Sequence, residues 1–493
     1  MKKAIYILST LTLAVVLLFS GCTKLEDFGR TNLNPAATTS PNTAALLTNV
    51  LSGIGGYATM NGPSLYCQYF SETQYPELSL YPNNLVSPMG NYSGALEDLQ
   101  NIINTNTDAA TAGVALLNGA NENQIAISRI LKAYIFWNIT DRWGDVPYST
   151  ALKGDPNVTY DTQESIYKDL IKELTEAVAQ FVTGAAIKGD VSYSGDIAKW
   201  KKLANSMRML MALQLSKQYP GAAEYSATQF ALALADAAGS ISTNADNFKL
   251  VYPGGNFRNP YYAMYDGRKD YGESATMTGL LQSLGTDGRL AVYGGTVDGN
   301  YTEEGVPFGR VRSYVDPWCS GHPNYAYVFR LANRQQTSPV FMITAAHVLL
   351  ARAEAADRGW TTETANTETL YQQGVTASYD QWGLAAPGAG YFALAGVDLT
   401  NAPGTGLNVS TIGVQQYIAY YPNGWMGWDT WRRLGVPALT PAPDGTNDPL
   451  VIPRRYMYGA TDYSLTAAGV AEAVTRLGAN GDLMDSRVWW DKL

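Results

Sequence analysis

Apolar residues recur at intervals of three and four along several long stretches of the chain. Around position 130 these residues are Ile127, Ile130, Leu131, Tyr134 and Trp137, and their spacing places them on one side of a helix. This pattern predicts amphipathic helices that each bury one apolar stripe. It is repeated at 165–181, 197–219, 226–238, 344–359, 364–383, 409–421 and 424–433, and over shorter runs near 41–50, 93–105, 273–284 and 467–474.

Turn formers and capping residues mark the ends of these helices. Gly144 and Pro147 should end the first long helix, and Asp196 should cap the helix that starts at position 197. Glu164 and Ser165 are the expected cap of the helix over 165–181.

The long helices fall into four consecutive pairs, at 124–182, 196–238, 344–383 and 409–434. Each pair has an apolar face that it cannot bury alone, and stacking the pairs buries it. The small-residue spacing of the third pair resembles a tetratricopeptide unit. We therefore predict an all-α fold, a superhelix of about four tetratricopeptide-like helix pairs.

Two segments lack this periodicity and are rich in Gly, Pro, Asn and Tyr, at 61–94 and 240–338. Only 273–284 within them has a clear helical pattern. Loops of this length are uncommon in a compact domain unless they are functional. We expect these segments to form a large loop-rich lobe that faces a ligand.

The N-terminus has the pattern of a lipoprotein signal peptide over residues 1–21. Lys2 and Lys3 precede an apolar stretch too short for a lasting membrane span, and small residues follow directly before Cys22. A signal peptidase would cut there, and the Cys22 thiol would carry acyl chains such as palmitate. The run resembles a bacterial lipobox, with Phe19 where Leu is usual. The alternative is an ordinary secretory signal with a chance cysteine. Residues 22–45 would form a lipidated tether, and 46–493 a single domain.

Composition and net charge exclude some classes of binding partner. The chain has 493 residues, of which 46% are hydrophobic, and a net charge of −9. Removing residues 1–21 takes away two lysines and no acid, which makes the charge −11. An acidic surface of this kind argues against nucleic acid and against docking to anionic lipid. The 33 tyrosines and 11 tryptophans favour a recognition surface.

Few residues are available for disulfide or metal chemistry. Besides Cys22 there are only Cys67 and Cys319, which either pair in an oxidising compartment or remain two separate buried thiols. His322 and His347 are too few for a histidine-based metal site without carboxylates. We predict no cofactor and no metal.

Several runs together resemble the SusD/RagB lipoproteins, and more closely the SusD-like nutrient-binding lipoproteins. With the lipobox they extend over nearly the whole chain in the order of that family. His347 departs from the family pattern, which commonly has a carboxylate there. The runs are LKAYIFWN (131–138), DRWGDVPY (141–148), WKKLANS (200–206) with Arg208, TAAHVLLARAEA (344–355), WDTWRR (428–433) and IPRR (452–455).

The resemblance implies a tetratricopeptide-like scaffold with a loop-rich lobe. It also implies lipid anchoring at the outer face of the outer membrane and a SusC-like TonB-dependent transporter as the partner, over which the protein closes as a lid. The usual ligand of such proteins is an oligosaccharide, and some relatives take peptides.

A sugar site needs aromatic platforms for the apolar ring faces and polar groups for the hydroxyl edges. Aromatics on helix stripes belong to the core, so we expect the platforms on loops. The expected platforms are Tyr75, Tyr81, Phe257, Tyr261, Tyr265 and Trp318. The expected polar partners are Asn83, Asn84, Asn256, Asp266, Asp270 and Asn324.

Two other functional classes fit the sequence less well. Asp141 and Asp145 beside Arg142 have the residue types of a glycosidase acid pair, but a structural salt-bridged turn explains them better. The sequence has no nucleophile elbow, HExxH or phosphate loop, so we predict no enzyme and no catalytic residues. A scaffold or adhesin without a small ligand would not need the aromatic loop lobe.

Overall fold

The computed structural model describes residues 42–154, 158–285, 287–294 and 304–492. The predicted signal peptide, Cys22 and the tether as far as residue 41 lie outside the described residues. Thr43 already begins the first helix, so residues 43–45 are part of the fold rather than of the tether. No helix in the described ranges is long and apolar enough to cross a bilayer.

Helices make up most of this structure. They are α1 (Thr43–Ile54), α2 (Asn61–Tyr66), α3 (Glu97–Thr107), α4 (Ala112–Ala115), α5 (Asn121–Trp143), α6 (Gln163–Gln180), α7 (Ile197–Gln214), α8 (Tyr225–Leu234), α9 (Pro260–Met264), α10 (Ala275–Ser283), α11 (Leu290–Tyr293), α12 (Arg312–Gly321), α13 (Ala345–Asp357), α14 (Thr367–Gln381), α15 (Ala389–Phe392), α16 (Val409–Tyr420), α17 (Gly424–Leu434), α18 (Ala460–Leu465) and α19 (Ala467–Leu477).

Short strands form antiparallel two-stranded sheets. The strands are β1 (Phe70–Glu72), β2 (Val146–Pro147), β3 (Tyr160–Asp161), β4 (Phe248–Val251), β5 (Tyr271–Glu273) and β6 (Pro339–Ile343). β1 pairs with β5, β2 with β3, and β4 with β6.

The four predicted helix pairs are present, and the prediction of a tetratricopeptide-like helical fold is confirmed. α5 packs on α6, α7 on α8, α13 on α14, and α16 on α17. Successive pairs contact each other through α6 and α7, through α7 and α13, and through α13 and α16. The core therefore lies between stacked pairs.

The residue that caps the N-terminus of α7 is the predicted one, and the residue that caps α6 is not. The Asp196 carboxylate accepts a hydrogen bond from the Lys199 N–H at 3.2 Å, as predicted for a cap. The cap of α6 is Thr162, whose hydroxyl oxygen accepts from the Ser165 N–H at 3.2 Å. The expected cap at Glu164 and Ser165 was wrong because α6 begins at Gln163, so both residues are already helical.

The two predicted lobe segments meet at the β1–β5 sheet, where Phe70 pairs with Glu273. The lobe contains more helix than predicted, since α9, α11 and α12 lie within it beside α10. The sequence did not predict α12, because Pro317 lies inside it and a proline, which lacks a backbone N–H, is unfavourable within a helix.

Both described cysteines are free thiols. Cys67 is fully buried just after α2, and Cys319 is partly buried on α12. Burial, with a smaller contribution from Asp316, raises the pKa of the Cys319 thiol to about 11. Of the two alternatives for this pair, the structure has the separate thiols.

Candidate functional site

Three ring-bearing residues follow one another at intervals of four, Tyr314 and Trp318 on α12 and His322 directly after its last residue. Side chains four apart on a helix lie on the same side of it, and the His322 ring stacks on Trp318, so we call these three residues the α12 aromatic row. Tyr314 is 43% exposed, and Trp318 and His322 are half-buried. Sequence reasoning found only Trp318. The four-residue spacing would have revealed the other two if the helix had been recognised.

A cleft of about 510 Å³ opens beside Trp318. One wall is a face of α10, and the other is formed by the segment that leads into α12. Its lining residues are Ala275, Thr278, Gly279, Gln282, Glu304, Gly305, Pro307 and Trp318. The cleft thus combines an indole with a hydroxyl, an amide and a carboxylate, which is the chemistry expected of a sugar site.

Behind the row lies a small aromatic cluster that supports it. Tyr325 and Tyr327 are buried there with Val315, and Trp318 packs against the cluster. The Tyr265 ring stacks on Tyr327 with centroids 4.9 Å apart and planes 8° apart. The Tyr265 hydroxyl donates to the Tyr271 carbonyl at 3.0 Å and accepts from the Val328 N–H at 2.8 Å. Tyr265 therefore holds the lobe together behind Trp318.

Tyr75 lies near the start of the same helix. Its ring is 51% exposed, and the Arg312 guanidinium lies 5.2 Å from the ring centroid. Arg312 and Trp318 are separated by about 9 Å along the axis of α12 at the usual helical rise. The structure thus brings two predicted platforms, Tyr75 and Trp318, to one helix.

Three predicted platforms lie away from α12, and for two of them the prediction was wrong. Tyr81 is fully buried between Tyr66 and Phe308, and Tyr261 is 2% exposed. Neither ring has a face for a ligand, because long-range packing has drawn both loop residues into the core. Phe257 is 63% exposed, but it lines a separate apolar cavity of about 720 Å³ beside α1 and β4.

The predicted polar partners are dispersed. Asp266 forms an ion pair with Arg258 at 2.6 Å, and Asp270 forms one with Arg268. Asn83 is exposed next to the buried Tyr81, and Asn256 and Asn324 are also exposed. Asn84 is half-buried. None of these side chains lines the cleft beside Trp318.

Asp141 belongs to a buried network and does not face a cavity. Its carboxylate accepts from the indoles of Trp425 at 3.1 Å and Trp490 at 2.9 Å. Burial, together with the neighbouring Asp429, raises the pKa of Asp141 well above its usual range. Asp145 pairs with Arg476 instead of Arg142. These residues tie the first helix pair to the end of the chain, in accordance with the structural interpretation.

The tryptophan and arginine residues late in the chain also pack internally. Trp428 is fully buried, and the Arg432 guanidinium lies 3.7 Å from its ring centroid. Arg454 pairs with Asp491 at 2.6 Å, and Arg455 pairs with Asp482. These residues therefore pack between helices and bind carboxylates of the core.

A larger cavity, of about 1020 Å³, runs beside the scaffold helices α13 and α14. Its only aromatic lining residue is Phe392, which is partly buried, and its other groups are mostly polar side chains of a solvated helix face. Within the described ranges no three metal-ligating side chains come together. The cleft beside Trp318 is smaller but offers an aromatic surface, so we take it as the candidate site.

Comparison with known families gives one match that spans most of the chain. The family model is SusD-like, described as starch-binding and associating with the outer membrane, and it matches residues 35–459. No protein of curated function matches the sequence.

Solved structures give similar matches. A chitin-binding protein is 28% identical, with 92% of this chain and all of that chain covered and a TM-score of 0.73. A chitin-binding SusD homologue from Flavobacterium johnsoniae is 23% identical over 91% of this chain and 98% of its own, with a TM-score of 0.75. A SusD homologue from Bacteroides uniformis is 24% identical over 92% and 98%, with a TM-score of 0.69. The similarity to the last two structures, at 23% and 24% identity, shows only that the fold is shared.

Proposed function

The chain belongs to the SusD-like family of starch-binding proteins that associate with the outer membrane, and from this premise we propose that it captures oligosaccharides at the cell surface. The α12 aromatic row and the adjoining cleft would form the binding site. The observation that carries this proposal is the position of Trp318, half-exposed at the edge of a cleft that also holds Glu304, Gln282 and Thr278. The chitin-binding protein at 28% identity supports a carbohydrate ligand.

The indole of Trp318 would stack on the apolar face of a pyranose ring, and the polar groups across the cleft would bind its hydroxyls. The cleft volume of about 510 Å³ lies within the usual range of small-ligand sites. Tyr314, one helical turn earlier, and Tyr75, near the start of α12, would extend the surface for a longer chain of sugars.

The remaining parts of the proposal concern location and delivery. Cys22 would be acylated and hold the protein on the outer membrane, where it would pass its ligand to a SusC-like TonB-dependent transporter. The family description, which includes association with the outer membrane, supports this arrangement. In this role the protein binds its ligand without chemical change.

The binding proposal is tested by calorimetric titration of the full chain, purified in detergent, with chitohexaose and maltohexaose. We expect saturable binding of at least one of them. Trp318→Ala should weaken that binding about tenfold, which is the effect of losing one stacked ring. Tyr314→Ala should weaken it less.

Tyr463→Ala is the matched control, since Tyr463 on α18 is 45% exposed and thus similar to Tyr314. Its affinity should equal that of the parent. Absence of binding to every oligosaccharide tested, or equal affinities of the Trp318→Ala and Tyr463→Ala variants, would refute the proposed site.

A further inference from the structure

His322, at the end of the α12 aromatic row, lies flat against the indole of Trp318. The two ring centroids are 4.3 Å apart and their planes differ by 15°. Such a close and nearly parallel arrangement covers one face of the indole. A ligand that stacks on Trp318 can therefore use only the opposite face.

A hydrogen bond holds the imidazole in this place, since its Nδ1–H donates to the Trp318 carbonyl oxygen, one helical turn back, at 2.8 Å. Its Nε2 lies 3.6 Å from the Glu304 carboxylate, which lines the cleft, and this distance is too long for a hydrogen bond. Since the ring is held by the stack and by the bond at Nδ1, it restricts the rotation of the indole beside it.

These contacts do little for stability. The side chains of His322 and Glu304 are 40% and 47% exposed, and ion pairs at such positions contribute little to folding. The end of α12 is already closed by the backbone bond from the His322 N–H to the Trp318 carbonyl at 3.0 Å. The ring of His322 is thus not needed to end the helix, and its place against Trp318 calls for another explanation.

We propose that His322 is a positioning residue of the carbohydrate site: its ring, held through Nδ1 by the Trp318 carbonyl, fixes the Trp318 indole so that a single face is presented to the sugar. This inference rests on the proposed function of the cleft. Fixing the indole before binding lowers the affinity cost of immobilising it. It also makes the platform one-sided, so the sugar must approach from the face away from His322.

The test compares three substitutions at position 322 by calorimetric titration with the oligosaccharide that binds the full-length parent. His322→Ala removes the ring and should weaken binding roughly three- to tenfold, the range expected when one side chain must be immobilised on binding. His322→Phe keeps a planar ring and should restore most of the affinity. His322→Asn keeps a polar side chain without the ring and should behave like His322→Ala. The thermal midpoints of all three should stay close to that of the parent.

A ligand-free measurement separates this inference from the proposed function. The chain has only two histidines, so the His322 imidazole signal in an NMR spectrum is the one that is lost in His322→Ala. The His322 ring protons should be shifted upfield by the indole, and the shift should vanish in Trp318→Ala. Absence of this shift, parent-like binding by His322→Ala, or failure of His322→Phe to restore affinity would each overturn the positioning role. If the parent binds no oligosaccharide, the proposed function fails, and the ring shift still reports whether His322 stacks on Trp318.

Discussion

Two glutamates, Glu273 and Glu354, are both fully buried. Their surroundings nevertheless shift the pKa values of their carboxyl groups in opposite directions. Burial opposes ionisation of Glu354, but Arg433 and Arg358 outweigh it and lower the pKa of its carboxyl to about 2. Arg433 donates to both of its oxygens, at 2.5 and 2.7 Å. Glu273 has no hydrogen-bond partner for either oxygen among the residues that the structure describes. Burial alone raises the pKa of Glu273 well above its usual range.

We predict that Glu273→Gln stabilises the protein increasingly as the pH rises. A group whose pKa is raised on folding contributes stability at low pH, and this contribution is lost as the pH rises through the raised value. The amide of glutamine does not ionise, so the variant does not lose stability in this way. The free energy of unfolding of the variant relative to the parent should therefore grow by up to about 1.4 kcal/mol per pH unit above the ordinary glutamate pKa. Thermal unfolding between pH 5 and 9 measures this trend.

Glu354→Gln is the matched control with the opposite sign. A carboxylate whose pKa is lowered on folding contributes stability above its unfolded pKa, and this is lost as the pH falls toward about 2. At pH 7 the substitution leaves Arg433 without its charge partner and should cost about 3–5 kcal/mol. A Glu273→Gln variant whose relative stability does not change with pH would contradict the assignment of a neutral buried carboxyl.

At the scale of secondary structure, small residues set the distance between paired helices. α13 is rich in alanine, and Gly374 of α14 faces it. A Cβ added at Gly374 would lie 2.7 Å from Leu350 Cγ and 3.1 Å from the Leu350 backbone nitrogen. The two helices of this pair therefore approach too closely for any larger residue at position 374.

We predict that Gly374→Ala lowers the free energy of unfolding by about 1–2 kcal/mol, because the cost of overpacking exceeds the gain in helix propensity. Gly53→Ala in α1 is the control, since an added Cβ there meets nothing within 4 Å. It should stabilise the protein by about 0.5–1 kcal/mol. Thermal unfolding of both variants in parallel measures the difference, and equal shifts would argue against the close approach of α13 and α14.

On the scale of the whole molecule, the end of the chain is bound into the core. Asp491 is fully buried and pairs with Lys217 at 2.7 Å and Arg454 at 2.6 Å. The neighbouring Trp490 donates to Asp141 on α5. Residues 490 and 491 thus join the first helix pair to the segment that follows the first helix of the second pair.

A prediction at this scale concerns the proposed lipid anchor. The parent chain, expressed in a cell that processes lipoproteins, should sediment with the outer membrane and carry the added mass of acyl chains on Cys22. Cys22→Ser should lose both properties, because the thiol is the proposed site of acylation. Fractionation and mass spectrometry measure them.

Cys319→Ser is the control, since Cys319 is a partly buried free thiol within the fold. It should remain in the membrane fraction. Retention of Cys22→Ser in that fraction, with no mass difference from the parent, would contradict lipid anchoring at this residue.

The sequence alone determined the helical class and the four pairs, because the period of an amphipathic helix is a local property that a stretch of some fifteen residues displays in full. Its ordered motif runs gave the resemblance to the family, which the family model over residues 35–459 confirms. It also identified Trp318 and Tyr75 as loop-region aromatics. Only the tertiary structure decided which of the loop aromatics are exposed: Tyr81 and Tyr261 are buried, and Tyr314 and His322 join Trp318 in one row. Burial of a loop residue depends on segments far away in the chain, as the β1–β5 pairing of residues 70–72 with 271–273 illustrates, and no local pattern records such contacts.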